Sequence, residues 1–217
     1  KWQLDWLQES AQWQDIIQKM YLPQQEGTSI FLQQDGFLDK VLMSASELDS
    51  AERPINQHWS WDRILRSCFI KQADVLQGIY FFEEDFDLAT IKANFDFYEP
   101  MTVHESSLSP CVHSILAAQL GYEEKAVEMY MRTSRLDLDD YNHEAHEGLH
   151  ITSMAGTWMA VVQGFGGMRV KGDTLTFRPM LPQQWESYQF RVNHRGVIKE
   201  VTVNREGVVF SDRVAVE

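Results

Sequence analysis

Up to about residue 170, apolar positions recur at the three- and four-residue spacing of amphipathic helices. Asp87 precedes one such stripe and is a predicted N-cap, while Gly121 and the glycines from Gly164 to Gly167 are predicted helix ends. The pattern predicts six helices, whose apolar faces are Trp6, Trp13, Ile17 and Met20; Val75, Leu76, Ile79 and Phe82; Leu88, Ile91, Phe95 and Tyr98; Val112, Ile115, Leu116 and Gln119; Ala126, Val127 and Tyr130; and Met154, Trp158, Val161 and Val162.

After Arg169 the period changes to two residues, which is the spacing of a half-buried strand. Asn193-His-Arg-Gly196 has the composition of a turn between two strands. Three strands are predicted, marked by Tyr188, Phe190 and Val192; by Val197, Val201 and Val203; and by Val208 to Phe210. The fold class is therefore mainly α with a C-terminal antiparallel β unit. We expect a helical domain over residues 1–169, with long loops from Gln33 to Gln57, and a small β-sheet domain over 170–217.

Composition limits the classes of function. The net charge of −13 argues against a general role in binding nucleic acids or anionic membranes. No apolar run approaches the roughly 18 residues of a membrane span. Cys68 and Cys111 are too few for a disulfide framework, and we expect a cytoplasmic location. The chain begins at Lys1 within an amphipathic pattern, which leads us to expect a piece of a larger protein.

The segment from Glu147 to Trp158 is the most informative for function. It is a glycine-containing loop, with His150, Thr152 and Ser153, that runs into an apolar helical pattern containing Gly156. The first turn of a helix has unpaired N–H groups and the positive end of the helix dipole, so it can bind an oxyanion such as phosphate. The alternative is that the hydroxyls only cap the helix.

His146-Glu147-Gly148-Leu149-His150 also matches the H-E-x-x-H string of zinc peptidases. That motif needs both imidazoles on one face of a helix. Gly148 disfavours a helix between them, and the preceding polar run, Asp137 to His143, is predicted to be a loop. A zinc peptidase is therefore the least favoured alternative.

Two further segments contain candidate chemistry. Lys71 and Gln72 precede a helical run, and a cation beside an amide suits vicinal sugar hydroxyls, although on chemistry alone a solvated helix start is the favoured explanation. Trp59 and Trp61 could stack on a sugar ring or belong to the core. Before another helix, His104 and Glu105 are candidate acid–base groups, and Ser106 or Ser107 candidate caps.

Four segments together resemble the C-terminal part of glycoside hydrolase family 65, the inverting disaccharide phosphorylases. They are Pro54–Arg63, Ile70–Leu76, Tyr98–Ser109 and Gly148–Gly156. The resemblance implies the later helices of an (α/α)6 barrel followed by a small antiparallel β domain. It also implies that phosphate attacks the anomeric carbon of an α-glucosyl disaccharide, maltose being expected, and releases β-glucose 1-phosphate and glucose.

By the same resemblance, Lys71 and Gln72 would bind the glucose that is transferred. His150 and Ser153 would bind phosphate, with Thr152 and Gly156 as weaker candidates. No cofactor and no metal are implied, and the general acid is a glutamate expected upstream of this chain. We therefore expect no catalytic residue in this chain and no activity from it alone.

The resemblance implies as partners the missing N-terminal part of the same enzyme and a second copy in a homodimer, but neither a nucleic acid nor a membrane. A non-catalytic protein that binds carbohydrate or phosphate remains the main alternative. Trehalose, kojibiose and nigerose remain alternative substrates.

Overall fold

The computed structural model describes residues 6–213, so the first five and last four residues of the predicted domain ranges lie outside it. Within residues 6–213, no helix is both long and apolar enough to cross a bilayer. The α-helices are α1 Trp6–Lys19, α2 Ile55–His58, α3 Trp61–Arg66, α4 Asp74–Phe81, α5 Leu88–Tyr98, α6 Ser109–Leu120, α7 Glu123–Ser134, α8 Leu136–Asp139 and α9 Ile151–Met159. The strands are β1 Arg169–Lys171, β2 Thr174–Thr176, β3 Ser187–His194, β4 Val197–Asn204 and β5 Gly207–Arg213.

The fold is organised around α6, which is buried continuously from Ser109 to Ala118. Such a helix must be covered on all sides, and α4, α5, α7, α9 and the π-helical segment Ala160–Phe165 pack against it. One close approach is at Gly164, where an added Cβ would lie 3.3 Å from the Ile115 Cα. The predicted stripe on α6 therefore identified only one of its buried faces.

The helix ends follow the sequence signals. Asp87 accepts a hydrogen bond from the Thr90 N–H at 2.7 Å and caps α5, as predicted. Gly121 ends α6 in the left-handed conformation, at φ 79°, and its N–H is bonded to the last carbonyls of the helix. Polar residues near 137 were predicted to form a loop, but Leu136–Asp139 forms one helical turn because Arg135 pairs with Asp139 across it.

The predicted loops between Gln33 and Gln57 are confirmed as irregular chain with the short 3-10 turns Phe37–Asp39, Ala45–Glu47 and Ser50–Glu52. Buried side chains of α5 fix the chain that leads into them. Asn94 accepts a hydrogen bond from the Phe31 N–H at 2.8 Å, and the Tyr98 hydroxyl donates to the Phe31 carbonyl at 2.7 Å. These polar contacts replace the regular hydrogen bonding that the segment lacks.

The three predicted strands are confirmed as an antiparallel sheet in the order β3-β4-β5, and β1 pairs with β2 in a separate hairpin. The predicted turn between β3 and β4 is a two-residue loop, with Arg195 at φ 56° and Gly196 at φ 81°. The buried face carries Phe190, Val192, Val201 and Val203. Val197 was predicted to face inward but is 41% exposed, because it lies at the hairpin end beyond the packed region.

The sheet and the helices share a core, since Val162 of the π-helical segment packs against the buried face of the sheet. The Tyr188 hydroxyl donates to the Phe165 carbonyl at 2.6 Å across the same junction. The predicted boundary between the helical domain and the β-sheet domain, at residues 169 and 170, therefore stays a prediction.

Several large apolar side chains of the helical part are exposed. The apolar stripe of α1 is one example, with Trp13 at 51% and Ile17 at 65% exposure. Leu149, Ile151 and Trp158, at and after the start of α9, are exposed as well. Exposed apolar surface on this scale is typical of a surface that packs against further protein.

The junction between helices and strands gives a test of packing at Gly167. An alanine Cβ there would lie 2.2 Å from the Arg178 carbonyl oxygen, whereas at Gly172, with nearly the same φ, it would meet nothing within 4 Å. We expect Gly167→Ala to lower the free energy of unfolding by about 1–3 kcal/mol more than Gly172→Ala. Chemical denaturation of both variants measures this difference, and equal losses would show that Gly167 is required only for its φ.

Candidate functional site

The backbone from Thr102 to Ser107 connects the two groups of predicted site residues. At one end, Ile70 forms a parallel bridge with Thr102, and its carbonyl accepts from the Val103 N–H at 2.9 Å. Lys71 and Gln72 follow Ile70 directly. At the other end, the Ser107 hydroxyl lies 3.0 Å from the Thr152 hydroxyl beside the first turn of α9.

Lys71 and Gln72 line a cavity of about 220 Å³ at the surface. The wall also includes Trp61, whose side chain is 66% exposed and whose ring centre lies 6.0 Å from Lys71 Nζ. Trp59, by contrast, packs against the core, with the Arg63 guanidinium over its ring. An exposed indole beside a cation and an amide suits a sugar ring with its hydroxyls.

Asp74, at the start of α4, lines the same cavity and was missed in the sequence. Its carboxylate accepts from the Gln33 amide at 2.6 Å, and burial raises its pKa above the ordinary value. Its backbone φ of 34° is unusual for a residue other than glycine. The contact with Gln33 spans 41 positions of sequence, and no local signal reveals it.

His150 immediately precedes α9 and is oriented by Asp137. One carboxylate oxygen of Asp137 lies 2.5 Å from His150 Nδ1, and the other accepts from the His150 backbone N–H at 2.9 Å. With Nδ1 donating to Asp137, Nε2 is the ring atom available to a ligand. The nearest carboxylate to Nε2 is that of Glu144, at 3.9 Å.

The Asp137 carboxylate therefore occupies donors at the start of α9 that the sequence assigned to a bound anion. The His150 backbone N–H, followed by the His150 imidazole, lowers the pKa of Asp137 below the ordinary range. The N–H groups of Ser153 and Met154 are bonded to the His150 carbonyl. The donors that remain for an anion at this helix start therefore include the side chains, and the His150 N–H is not among them.

Thr152 and Ser107 provide hydroxyls beside this helix start, because Thr152 is exposed and bonded to Ser107. Ser107 was considered only as a cap in the sequence. Ser106, the alternative cap, accepts from the Leu108 N–H at 3.2 Å.

Ser153 and Gly156 lie on the inward face of α9. The Ser153 hydroxyl donates to the Thr133 carbonyl at 2.7 Å and is buried. An added Cβ at Gly156 would lie 2.8 Å from the Cys111 Cβ, so close packing between α9 and α6 requires glycine there. Their assignment to phosphate stays a prediction, and both have a packing role that explains them independently.

The H-E-x-x-H string does not form the zinc-peptidase geometry. His146 lies in the 3-10 turn Ala145–Glu147, whereas His150 is the N-cap of α9. Between them, Gly148 has a φ of 117°, which is incompatible with a continuous helix. The two imidazoles are therefore not on one helical face.

The candidate acid–base groups His104 and Glu105 are buried. Glu105 accepts from the Ile55 backbone N–H at 2.6 Å and pairs with the Arg53 guanidinium at 3.0 Å. A carboxylate with these partners holds chain segments together and is not accessible to a substrate.

A larger cavity, of about 1040 Å³, lies between the helices and the β hairpin. It is lined by Glu83, Gln119 and Arg178 among others, and by none of the predicted site residues. The small cavity beside Lys71 and the start of α9 therefore remain the candidate site on chemical grounds.

The helical part followed by a small β unit agrees with one family. The chain belongs to glycosyl hydrolase family 65: residues 4–159 match the central catalytic domain of that family, and residues 168–214 match its C-terminal domain. The predicted fold class, later barrel helices followed by a small β domain, is thereby confirmed.

Among its relatives, the chain is 60% identical to the maltose phosphorylase of Bacillus subtilis over 91% of its length. It is 43% identical to the α,α-trehalose phosphorylase of Thermoanaerobacter brockii over 94% of its length. A solved structure described as a candidate kojibiose phosphorylase from human microbiome superimposes with a TM-score of 0.87 at 39% identity, over 95% of this chain and 27% of that one. The chain spans 26% of each of the two curated relatives.

The contact between Asp137 and His150 predicts a pH dependence of stability. Because the pKa of Asp137 is lowered in the folded chain, its carboxylate stabilises the fold above the unfolded pKa near 4, and this contribution is lost as the pH falls through the folded pKa. We expect Asp137→Asn to be less stable than the parent at pH 6, with the difference shrinking below about pH 4. Urea unfolding between pH 3 and 6 measures it, with Asp35→Asn, at an exposed position, as control. A difference that is independent of pH would contradict the role given to the carboxylate.

Proposed function

We propose that this chain forms part of an inverting disaccharide phosphorylase. The enzyme cleaves an α-glucosyl disaccharide, with maltose as the first candidate, and transfers the glucosyl group to inorganic phosphate. The products are β-glucose 1-phosphate and glucose. The observation that carries the proposal is the 60% identity to a maltose phosphorylase over 91% of the chain, combined with the His150–Asp137 pair near the Ser107 and Thr152 hydroxyls.

In this proposal the glucosyl group lies in the cavity beside Trp61. Lys71 donates to its hydroxyls, Gln72 donates and accepts, and Asp74 accepts. The indole covers one face of the ring. Neither Lys71 nor Gln72 has a hydrogen bond or ion pair to another side chain in the described part of the chain, so both heads are available to a ligand.

Phosphate lies at the start of α9 and takes hydrogen bonds from His150 Nε2, Thr152 and Ser107. Asp137, which accepts from Nδ1, fixes the direction in which His150 Nε2 meets the phosphate. Ser153 and Gly156 contribute by setting the position of α9 against α7 and α6. Phosphate is itself the nucleophile, so the site needs no carboxylate base to activate water.

The general acid is expected outside this chain. Among the described residues, Glu105 is buried in a structural pair with Arg53, and Glu147 lies in the exposed turn before Gly148. In the complete enzyme, the part of the protein outside this chain supplies the proton donor. That part packs against the apolar side chains that are exposed on this chain.

A non-catalytic protein that binds carbohydrate or phosphate is the second candidate. The observation that favours it is that, among the described residues, Lys71, Gln72 and His150 suit binding, whereas Glu105 is buried in a structural pair. The two candidates differ in whether the chain can support turnover when the remaining length is supplied.

A chimaera tests this directly. The matching segment of the Bacillus subtilis maltose phosphorylase is replaced by this chain, and phosphate-dependent release of glucose is measured with maltose, trehalose, kojibiose and nigerose. We expect turnover with maltose above the other three. His150→Ala should lower kcat/KM for phosphate by about 10- to 100-fold, the effect of losing a hydrogen bond to a charged group. Lys71→Met should instead raise the KM for maltose by about tenfold.

His146→Ala is the matched control, since this exposed histidine lies near His150 in sequence and outside the site. It should leave both constants unchanged. A folded chimaera without turnover would favour the binding protein. Turnover that is greater with trehalose or kojibiose would replace maltose as the substrate and leave the reaction class intact.

A further inference from the structure

Two buried histidines behind the candidate site lack the hydrogen-bond partners that such groups need. His113, in the middle of α6, is fully buried, and neither ring nitrogen has a protein partner. His104 is 6% exposed, and its Nε2 has no protein partner either. Because unpaired buried polar atoms destabilise a fold, each of these atoms requires an explanation.

The two histidine side chains lie against one another. The two imidazoles pack edge to face with ring centres 4.4 Å apart. Glu99 adds a carboxylate to the same point, and one ligand atom from each of the three residues lies within 4.8 Å of the other two. They come from three different pieces of chain: the 3-10 turn Glu99–Met101, the segment Thr102–Ser107, and α6.

His104 is held in the orientation that a metal ligand needs. Its Nδ1 lies 3.1 Å from the Ser109 hydroxyl, and donation along this bond leaves the lone pair on Nε2. Its backbone has a φ of 54°, and its carbonyl accepts from the Arg132 guanidinium at 2.8 Å. Metal-binding histidines are oriented in this way by a hydrogen bond from the second nitrogen.

We propose that Glu99, His104 and His113 bind a structural zinc ion. Two imidazole nitrogens and a carboxylate are a known zinc ligand set, and a water completes four ligands. Zinc binds imidazole nitrogen at about 2.0–2.1 Å, so the three side chains close inward on the ion. The ion links the 3-10 turn, the segment that carries Ser107, and α6.

Lys125 is the main competitor for Glu99. Its ammonium lies 2.8 Å from Glu99 Oε1 and also 2.7 Å from Glu128 Oε2. The second carboxylate oxygen of Glu99 therefore remains available to the ion. If zinc displaces Lys125 from Glu99, Lys125 keeps its ion pair with Glu128.

The test uses the full 217-residue chain, freed of metal with a chelator and then titrated with zinc. We expect one zinc per chain by calorimetry and elemental analysis, a higher thermal midpoint with zinc than without, and a Co²⁺ complex with the strong visible absorption of a four-coordinate site. His113→Gln and Glu99→Gln should each weaken zinc binding by more than about tenfold. A tenfold loss is the lower end of the effect of removing a residue that only orients a metal ligand, and removing a ligand itself should cost more.

His146→Gln is the control, because it removes the first histidine of the H-E-x-x-H string and leaves the buried cluster intact. It should bind zinc as the parent does. If His113→Gln does not fold, Glu99→Gln decides, since Glu99 is partly exposed at the edge of the cluster. The proposal is overturned if the parent binds no zinc, if both cluster variants bind it as tightly as the parent, or if binding is lost in His146→Gln instead.

Discussion

The buried carboxylate of Glu105 fixes the segment on which the candidate site depends. Its oxygens accept from the Ile55 N–H and the Arg53 guanidinium, and Arg53 in turn donates to the Val103 carbonyl at 2.6 Å. A buried charge with all these partners holds one arrangement firmly, because losing any partner leaves it uncompensated. The segment from Thr102 to Ser107 is thereby fixed between Ile70, which precedes the sugar-binding candidates, and Thr152, beside the phosphate-binding candidates.

The start of α9 already holds an anion of the protein itself, because the Asp137 carboxylate accepts from the His150 N–H and lies 2.5 Å from Nδ1. In the proposed function, phosphate binds beside it through His150 Nε2, whose direction is fixed, and the Ser107 and Thr152 hydroxyls. Directed hydrogen bonds would then add to the attraction of the helix dipole.

Local signals predicted the helices, the strands and the ends at Asp87 and Gly121, because each depends on residues a few positions apart. The sequence proposed Lys71, Gln72, His150 and Thr152 as site residues through their chemistry and the resemblance to a family, and this assignment stays a prediction. Asp74, Asp137 and Ser107 were not assigned these roles, since their partners Gln33, His150 and Thr152 are 41, 13 and 45 positions away. Ser153 and Gly156 were assigned to phosphate in the sequence, whereas in the structure both face the core. A local pattern does not reveal which side of a helix faces the core.

Histidine NMR on this chain tests the central claim, that His150 binds phosphate with Asp137 orienting it. The side chains are labelled with ¹⁵N and titrated with inorganic phosphate, with His146 in the same sample as reference. The account predicts that the His150 Nε2 resonance moves and saturates, that His146 does not move, and that the His150 response is lost in Asp137→Asn. Equal, unsaturable movement of both histidines, or no movement of His150, would contradict it.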